Sequence, residues 1–264
     1  MDEILIPRPA ATVMPLRDGP DGLEVLMLRR NLRSDFVGGA YVFPGGGVDE
    51  ADSGPLAQSL VIGPSDVEAS ARLGLDHGGL AYYVACLREL FEEAGLLVVC
   101  DASGVPQSLG DEDTVARMAQ HRRAVNDKSL RFLDMMREEG LSLDLRGLEY
   151  VAHWVTPVGP PRRFDTRFFV ALAPSSQVAT HDAGETVADT WVRPVDALAA
   201  RKRGEFEMIL PTIKNLEAIA NFSTARDVLA YARSLTEIPR IEPRIVAEGD
   251  GVRIELPGGE SYEA

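Results

Sequence analysis

The sequence predicts an α/β fold in which helices pack on a mixed sheet. Three patterns carry that reading. Two β-prone runs, Ala11-Thr-Val-Met and Leu23-Glu-Val-Leu-Met-Leu, flank a turn near the start. A strongly amphipathic helical stretch follows from Leu80 to Ala94. Further β-prone runs, Glu149 to Val155 and Arg167 to Leu172, then give way to helical periods.

The elements follow in chain order. Arg17-Asp-Gly-Pro-Asp-Gly supplies the first turn. Glycines between Gly38 and Gly47 form a loop interrupted by Tyr41-Val-Phe, which reads as a short strand. Residues 53 to about 78 hold Gly54-Pro, Gly63-Pro-Ser and Asp76-His-Gly-Gly without a long period, and read as an inserted, mostly irregular segment. Asp111 to Glu139 predicts one or two helices ending near Gly140, with Asn126 or Asp127 as an internal cap. Thr156-Pro-Val-Gly-Pro-Pro turns between the two later strands, and Thr190-Trp-Val is a further short one. Helices are expected at Val195 to Ala200, Pro211 to Ala220 and Ser223 to Arg233, the last capped by Ser223 or Thr224. One domain is expected over 1–235, with an extension over 236–264 that reads as a hairpin around Asp250-Gly251.

Composition bounds the function. In 264 residues, 45% hydrophobic and 26% charged usage is that of a globular chain with a buried core. No apolar run approaches the roughly 18 residues of a membrane span, so no membrane partner is expected. The start, Met1-Asp-Glu-Ile-Leu-Ile-Pro, does not read as a secretory signal. Two cysteines, Cys86 and Cys100, fit no metal spacing, and a reduced, cytoplasmic setting is the simplest expectation. A net charge of −14 argues against a wide grip on nucleic acid, but leaves open a small phosphorylated ligand held by local arginines or a cation.

The chemistry concentrates in Arg88-Glu-Leu-Phe-Glu-Glu-Ala-Gly-Leu. On a helix, Glu89, Glu92 and Glu93 are related by i+3 and i+4 steps and converge on one face. Leu80, Val84, Leu87, Leu90, Phe91 and Ala94 form the opposite face, for burial against a sheet, and Gly95 suits a left-handed cap. Like charges at these spacings cost an isolated helix about 0.2–0.5 kcal/mol per pair. Arg88 offsets part of this, and a hard cation such as Mg²⁺ or Mn²⁺ would offset more. Upstream, Phe43-Pro-Gly-Gly-Gly-Val-Asp lets the backbone approach a ligand closely, because no Cβ intervenes.

Gly46 with an acid six residues on, followed later by Arg88-Glu-Leu-Phe-Glu-Glu-Ala-Gly-Leu, resembles the Nudix box. That box marks hydrolases acting on a nucleoside diphosphate linked to another moiety. The second half matches at every defining position. The first half departs twice: the acid is Asp52 where the family has glutamate, and 88−52−1 = 35 residues stand where the family has a short spacer. That excess resembles the insertion of the acyl-coenzyme A diphosphatase branch. His153-Trp-Val-Thr-Pro, Arg162-Arg-Phe-Asp-Thr-Arg-Phe-Phe and Glu185 ahead of Trp191-Val-Arg-Pro resemble the same group.

The resemblance implies a Nudix α/β/α sandwich with the insertion inside the box and extra helices. It implies Mg²⁺ or Mn²⁺ on Glu92 and Glu93, with Glu89 either a third ligand or the group activating water. Gly46 offers a carbonyl to the metal or is a turn glycine. Arg88 orients a glutamate by an ion pair or touches substrate, and Glu185 is a further ligand or base, or a solvated loop acid. For phosphate, Arg30, Arg163 and Arg167 are the candidates, since guanidinium forks match phosphate oxygens. Phe43 is a candidate for binding substrate, and Trp154, Phe164 and Tyr41 are aromatics that could stack on a purine but whose default, on strands, is the core. His153 reads as a buried, hydrogen-bonded histidine, and Cys86 is not expected to be a nucleophile. The insertion and the helices of 111–139 are expected to wall the cleft. The expected substrate is a small nucleotide-diphosphate compound such as coenzyme A, acyl-coenzyme A, a nucleotide sugar or a dinucleotide. A binding module without turnover is the rival reading, and a homodimer is left open.

Overall fold

A computed structural model describes residues 5–32, 38–182, 184–248 and 251–263. In chain order the strands are β1 (Arg8–Gly19), β2 (Gly22–Arg30), β3 (Tyr41–Val42), β4 (Gly45–Gly47), β5 (Val61–Ile62), β6 (Val99–Cys100), β7 (Ser142–Asp144), β8 (Glu149–Val155), β9 (Phe164–Leu172), β10 (Thr186–Val192), β11 (Arg240–Ile241), β12 (Arg244–Glu248), β13 (Gly251–Glu255) and β14 (Ser261–Glu263). The helices are α1 (Gly54–Ser59), α2 (Asp66–Leu73), α3 (Leu80–Ala94), α4 (Glu112–Asn126), α5 (Phe132–Glu138), α6 (Pro194–Lys202), α7 (Leu210–Ile219) and α8 (Ala225–Ser234).

The main sheet runs β10-β2-β1-β9-β8-β11, with β3 added beside β2 and β4 beside β1. It is mixed: β1 and β9 are parallel, while β1–β2, β2–β10 and β8–β9 are antiparallel. One face packs Val13, Leu26, Leu28 and Phe169 against Val84, Leu87, Leu90 and Phe91 of α3. The other packs Met14, Val25, Met27 and Val170 against Leu216 of α7 and Val228 and Leu229 of α8. Alternate side chains of each strand feed opposite cores, which is the period of a strand buried on both faces. The arrangement is the expected α/β/α sandwich.

The structure differs from the sequence expectation in several places. The segment 53–78 is ordered: it holds α1, β5 and α2. Its signals are local. Ser65 and Glu68 form a reciprocal capping box at the start of α2, and Gly74 ends it in the left-handed conformation at φ 66°. Asp111 caps α4 by accepting from the Thr114 amide, but neither Asn126 nor Asp127 caps α5, which starts after Arg131. Asp127 closes α4, and Asn126 turns to the box helix. Thr224, of the two residues considered, caps α8.

Past residue 235 the chain gives a strand to the main sheet, β11 beside β8, so the boundary expected there falls one strand early. The expected hairpin is β12–β13, its turn residues 249 and 250 lying outside those described. β14 extends it to a three-stranded sheet. Among the described residues, no helix is long and apolar enough to cross a membrane.

Candidate active site

α3 is buried along nearly its whole length, and only Glu89 and Glu92 on it stay half-buried. Gly95 closes it at φ 70°, donating to the Phe91 carbonyl. A second constraint comes from α4, where Arg122 Nε and Asn126 Nδ2 donate to the Glu92 carbonyl at 3.0 and 3.1 Å. The last turn of the helix is therefore fixed by side chains as well as by packing.

The glycine strand β4 crosses this turn. It pairs with the first half of β1, Ala11 opposite Gly46 and Thr12 opposite Gly45. A Cβ on Gly46 would stand 2.5 Å from a Glu89 carboxylate oxygen, so a side chain there would push the carboxylate from its place. Glu93 accepts the Gly45 amide at 3.0 Å. Burial pushes the Glu93 carboxyl well above the usual carboxylate range, with the nearby Glu89 and Glu185 charges adding, against the Gly45 amide and Arg30. Burial likewise pushes Glu89 up to about 7, against the charge of Arg88 and reinforced by Glu92. Two desolvated carboxylates side by side are an arrangement that a cation relieves. Among the described residues, three such groups do not stand in ready metal-binding geometry.

Arg88 binds the acidic patch together. Its Nε and Nη2 donate to the two oxygens of Asp52 at 2.8 and 2.9 Å, Nη2 also reaches the Gly47 carbonyl at 2.8 Å, and Nη1 reaches Glu89 at 2.7 Å and Glu92 at 3.3 Å. Burial works against its charge, but the Asp52 hydrogen bonds and the Glu89 charge outweigh it and hold its pKa above the ordinary arginine value. Arg88 is fully engaged by protein groups, which favours its orienting role over contact with substrate. Asp52 also accepts the Asp49 amide at 2.8 Å, tying the insertion's entry to the same arginine.

Two cavities flank the patch. One, of about 700 Å³, is lined by Gly45, Gly46 and Gly47 together with Phe43, Arg30 and Glu185. The other, of about 600 Å³, lies against Asp52, Arg88 and Glu92 and is closed by Lys128 and Arg131. The insertion contributes Ser53 and Leu56 to the second cavity, and the helical addition contributes Val125 and Phe132. Both added segments therefore border the acidic helix.

The family model described as the NUDT19 Nudix domain matches residues 65–219, which contain α3 and run from the start of α2 to the end of α7. The chain belongs to the NUDT19 Nudix hydrolases. It is similar to the Gallus gallus protein named acyl-coenzyme A diphosphatase NUDT19, 30% identical over 92% of this chain and 74% of that protein. The Homo sapiens protein of the same name is 27% identical over 97% of this chain and 76% of its own length. Among solved structures, the Nudix hydrolase from Alicyclobacillus acidocaldarius superposes with a TM-score of 0.68 at 28% identity, covering 86% of this chain and 97% of that one.

Within this Nudix hydrolase the expected site residues separate into two groups. Glu89, Glu92, Glu93, Arg88, Gly46, Phe43, Arg30 and Glu185 surround the glycine strand and its cavities. Arg163 and Arg167 do not, and the expectation that they grip phosphate is corrected. Arg163 is buried, donating to the carbonyls of Thr156, Pro157 and Leu5 and pairing with Glu242. Arg167 is buried under α3, donating to Asp165 at 2.8 Å with its guanidinium 4.6 Å from the Tyr82 ring.

Strand parity is the reason. Phe164, Thr166 and Phe168 line the larger cavity together with Arg162, while Arg167 and Phe169 turn to the other face. A period-two count from Phe168 puts Arg162, rather than Arg163, on the cavity side.

Sequence reasoning also missed Arg201, on the cavity wall, for which no local signal existed, and left Asp52 without a role. His153 is buried and bonded to Asp165 at 2.7 Å, as a structural histidine would be. Burial pushes the Cys86 thiol up, which removes the thiolate a nucleophile needs.

Proposed function

We propose that this Nudix hydrolase cuts the diphosphate linkage of coenzyme A or an acyl-coenzyme A in a reaction dependent on Mg²⁺ or Mn²⁺. The observation that carries the reading is the meeting of Glu93 with the Gly45 amide at 3.0 Å on a strand whose glycines line the larger cavity. The glycine backbone there lines the cavity and donates to a buried carboxylate. The names of the similar proteins, acyl-coenzyme A diphosphatases in Gallus gallus and Homo sapiens, support the substrate class.

The donor set suits the cation. Carboxylate oxygens are the ligands a hard divalent ion prefers, and the raised carboxyls of Glu89 and Glu93 mark charge that the protein alone leaves under-compensated. Glu89, Glu92 and Glu93 would hold it, with Glu185 approaching from the loop before β10. When bound, the ion supplies Lewis-acid neutralisation of charge on the phosphoryl oxygens. The chain's own groups do the rest. Arg88 keeps Glu89 and Glu92 oriented. Arg30, whose charge already acts on Glu93, faces the same cavity as the substrate's phosphates. Glu185, exposed at the cavity rim, is placed to take a proton from an entering water.

Incubation with coenzyme A, ADP-ribose, NADH and diadenosine compounds, with Mg²⁺ or Mn²⁺ and mass-spectrometric product analysis, tests the proposal. Cleavage of coenzyme A to 4′-phosphopantetheine and a 3′,5′-bisphosphate is the expected result. Rates unchanged in Glu92→Gln and Glu93→Gln would refute it.

A further inference from the structure

The C-terminal sheet is more than an appendage to the catalytic domain. Ile245 stands opposite Ile254, and Ile254 opposite Tyr262, so register places these three side chains on one face of the β12-β13-β14 sheet. All three line the 700 Å³ cavity, at whose other walls stand Phe43, Trp154 and the segment Met208 to Ile213. The sheet is tied to the domain. Lys214 of α7 pairs with Glu260 at 3.1 Å and stands 4.9 Å from the Tyr262 ring, Glu242, just ahead of β12, pairs with Arg163, and the half-buried Leu256 packs against the core that holds Leu216 and Val228. Ile245 nonetheless keeps 42% of its surface exposed, and Ile254 is only half-buried. An apolar wall that the protein leaves partly uncovered, in a cavity that also holds Arg30, Arg162 and Arg201, matches an amphiphile with anionic groups at one end and hydrocarbon at the other.

Building on the coenzyme A reading, we infer that this sheet walls an apolar chamber that takes the acyl chain of the substrate and selects for its length. An adenine ring is the competing occupant. It would give the chamber the same importance for free coenzyme A as for its long-chain thioesters. A hydrocarbon tail makes the chamber matter only when the tail is present.

The test compares wild type, Ile254→Trp, which fills the chamber, and Ile245→Asp, at a half-exposed position that tolerates the change. Turnover is measured on free, acetyl-, octanoyl- and dodecanoyl-coenzyme A. Binding of free and dodecanoyl-coenzyme A, below micellar concentration and in EDTA, is measured by calorimetry. In wild type the ratio of kcat/KM for dodecanoyl- over free coenzyme A exceeds one. In both variants that ratio, and the matching ratio of affinities, falls about tenfold or more as buried methylenes are lost. Equal losses on free and acylated substrate, or no change in either variant, overturn the chamber. Should the wild type hydrolyse none of the series, the diphosphatase reading fails, and the calorimetric ratio still decides whether the sheet binds an acyl chain.

Discussion

Arg88 and Asp52, 36 positions apart, form a two-pronged ion pair at 2.8 and 2.9 Å with side chains only 8% and 2% exposed. The pair joins the box helix to the entrance of the insertion, and through the Gly47 carbonyl to the glycine strand. Asp52→Ala takes two hydrogen bonds from a buried guanidinium that keeps Glu89, Glu92 and the Gly47 carbonyl, while burial already disfavours the Asp52 charge. It is therefore expected to lose about 1–3 kcal/mol in urea unfolding, with activity falling as the guanidinium shifts against Glu89 and Glu92. A loss below about 1 kcal/mol would show the pair to be ornamental.

Glu93→Gln separates catalysis from stability. The substitution keeps the shape and the Gly45 hydrogen bond but removes a charge that burial disfavours. We expect kcat to drop by at least about 100-fold, while the metal-free variant melts no lower than wild type. Chelation with EDTA should bring the wild type down to the rate of the variant, and Mg²⁺ or Mn²⁺ should restore only the wild type.

Arg30 and Arg163 should respond oppositely. Arg30→Ala, on the cavity wall, is expected to cut kcat/KM by about 10- to 100-fold with little change in melting temperature. Arg163→Ala strands three backbone carbonyls and Glu242, and should cost about 3 kcal/mol of stability. Paired thermal melts and steady-state kinetics on the two variants check the assignment.

Lys128 sits at φ 65° just after α4, a left-handed conformation that disfavours a side chain. Its ion pair with Glu92, at 3.7 Å from a mostly exposed ammonium, contributes little in return. Lys128→Gly is accordingly expected to leave stability unchanged or raise it by up to about 1 kcal/mol, read from denaturant midpoints.

Asp165 sets part of the acid limb of stability. Burial alone would raise its pKa, but the hydrogen bond from His153 and the charge of Arg167 more than reverse this and hold it below the usual aspartate value. A carboxyl with a lowered folded-state pKa contributes stability that is present above its unfolded pKa and lost as pH falls through the folded value. Asp165→Asn should therefore lose stability at neutral pH and show a shallower decline below about pH 4. A slope identical to wild type in that range would remove Asp165 from the account.

The structure also separates what could be read locally from what could not. The carboxylates of α3, its apolar face, its Gly95 cap and the close approach of the glycine strand were legible, because helical period and the absence of a Cβ act within a few residues. The caps of α2 are equally local, in the Ser65–Glu68 box and Gly74, though the segment has no long apolar period. Which arginines near β9 face the cavity depends on which face of that strand meets α3, and both faces carry aromatic or aliphatic side chains. Nothing near Asp52 announces that its partner lies on a helix beyond an ordered insertion.

By itself, then, the amino-acid sequence determined the acidic helix, the glycine strand and the alternation of elements that makes an α/β domain, since each rests on torsional preference and short-range period. Only the tertiary structure decided that Asp52 neutralises Arg88, that Arg163 and Arg167 serve the framework, and that three residues near the C-terminus wall the cavity. Those outcomes depend on sheet register and on which distant surfaces bury each other, and such contacts are chosen by the packing of the whole chain.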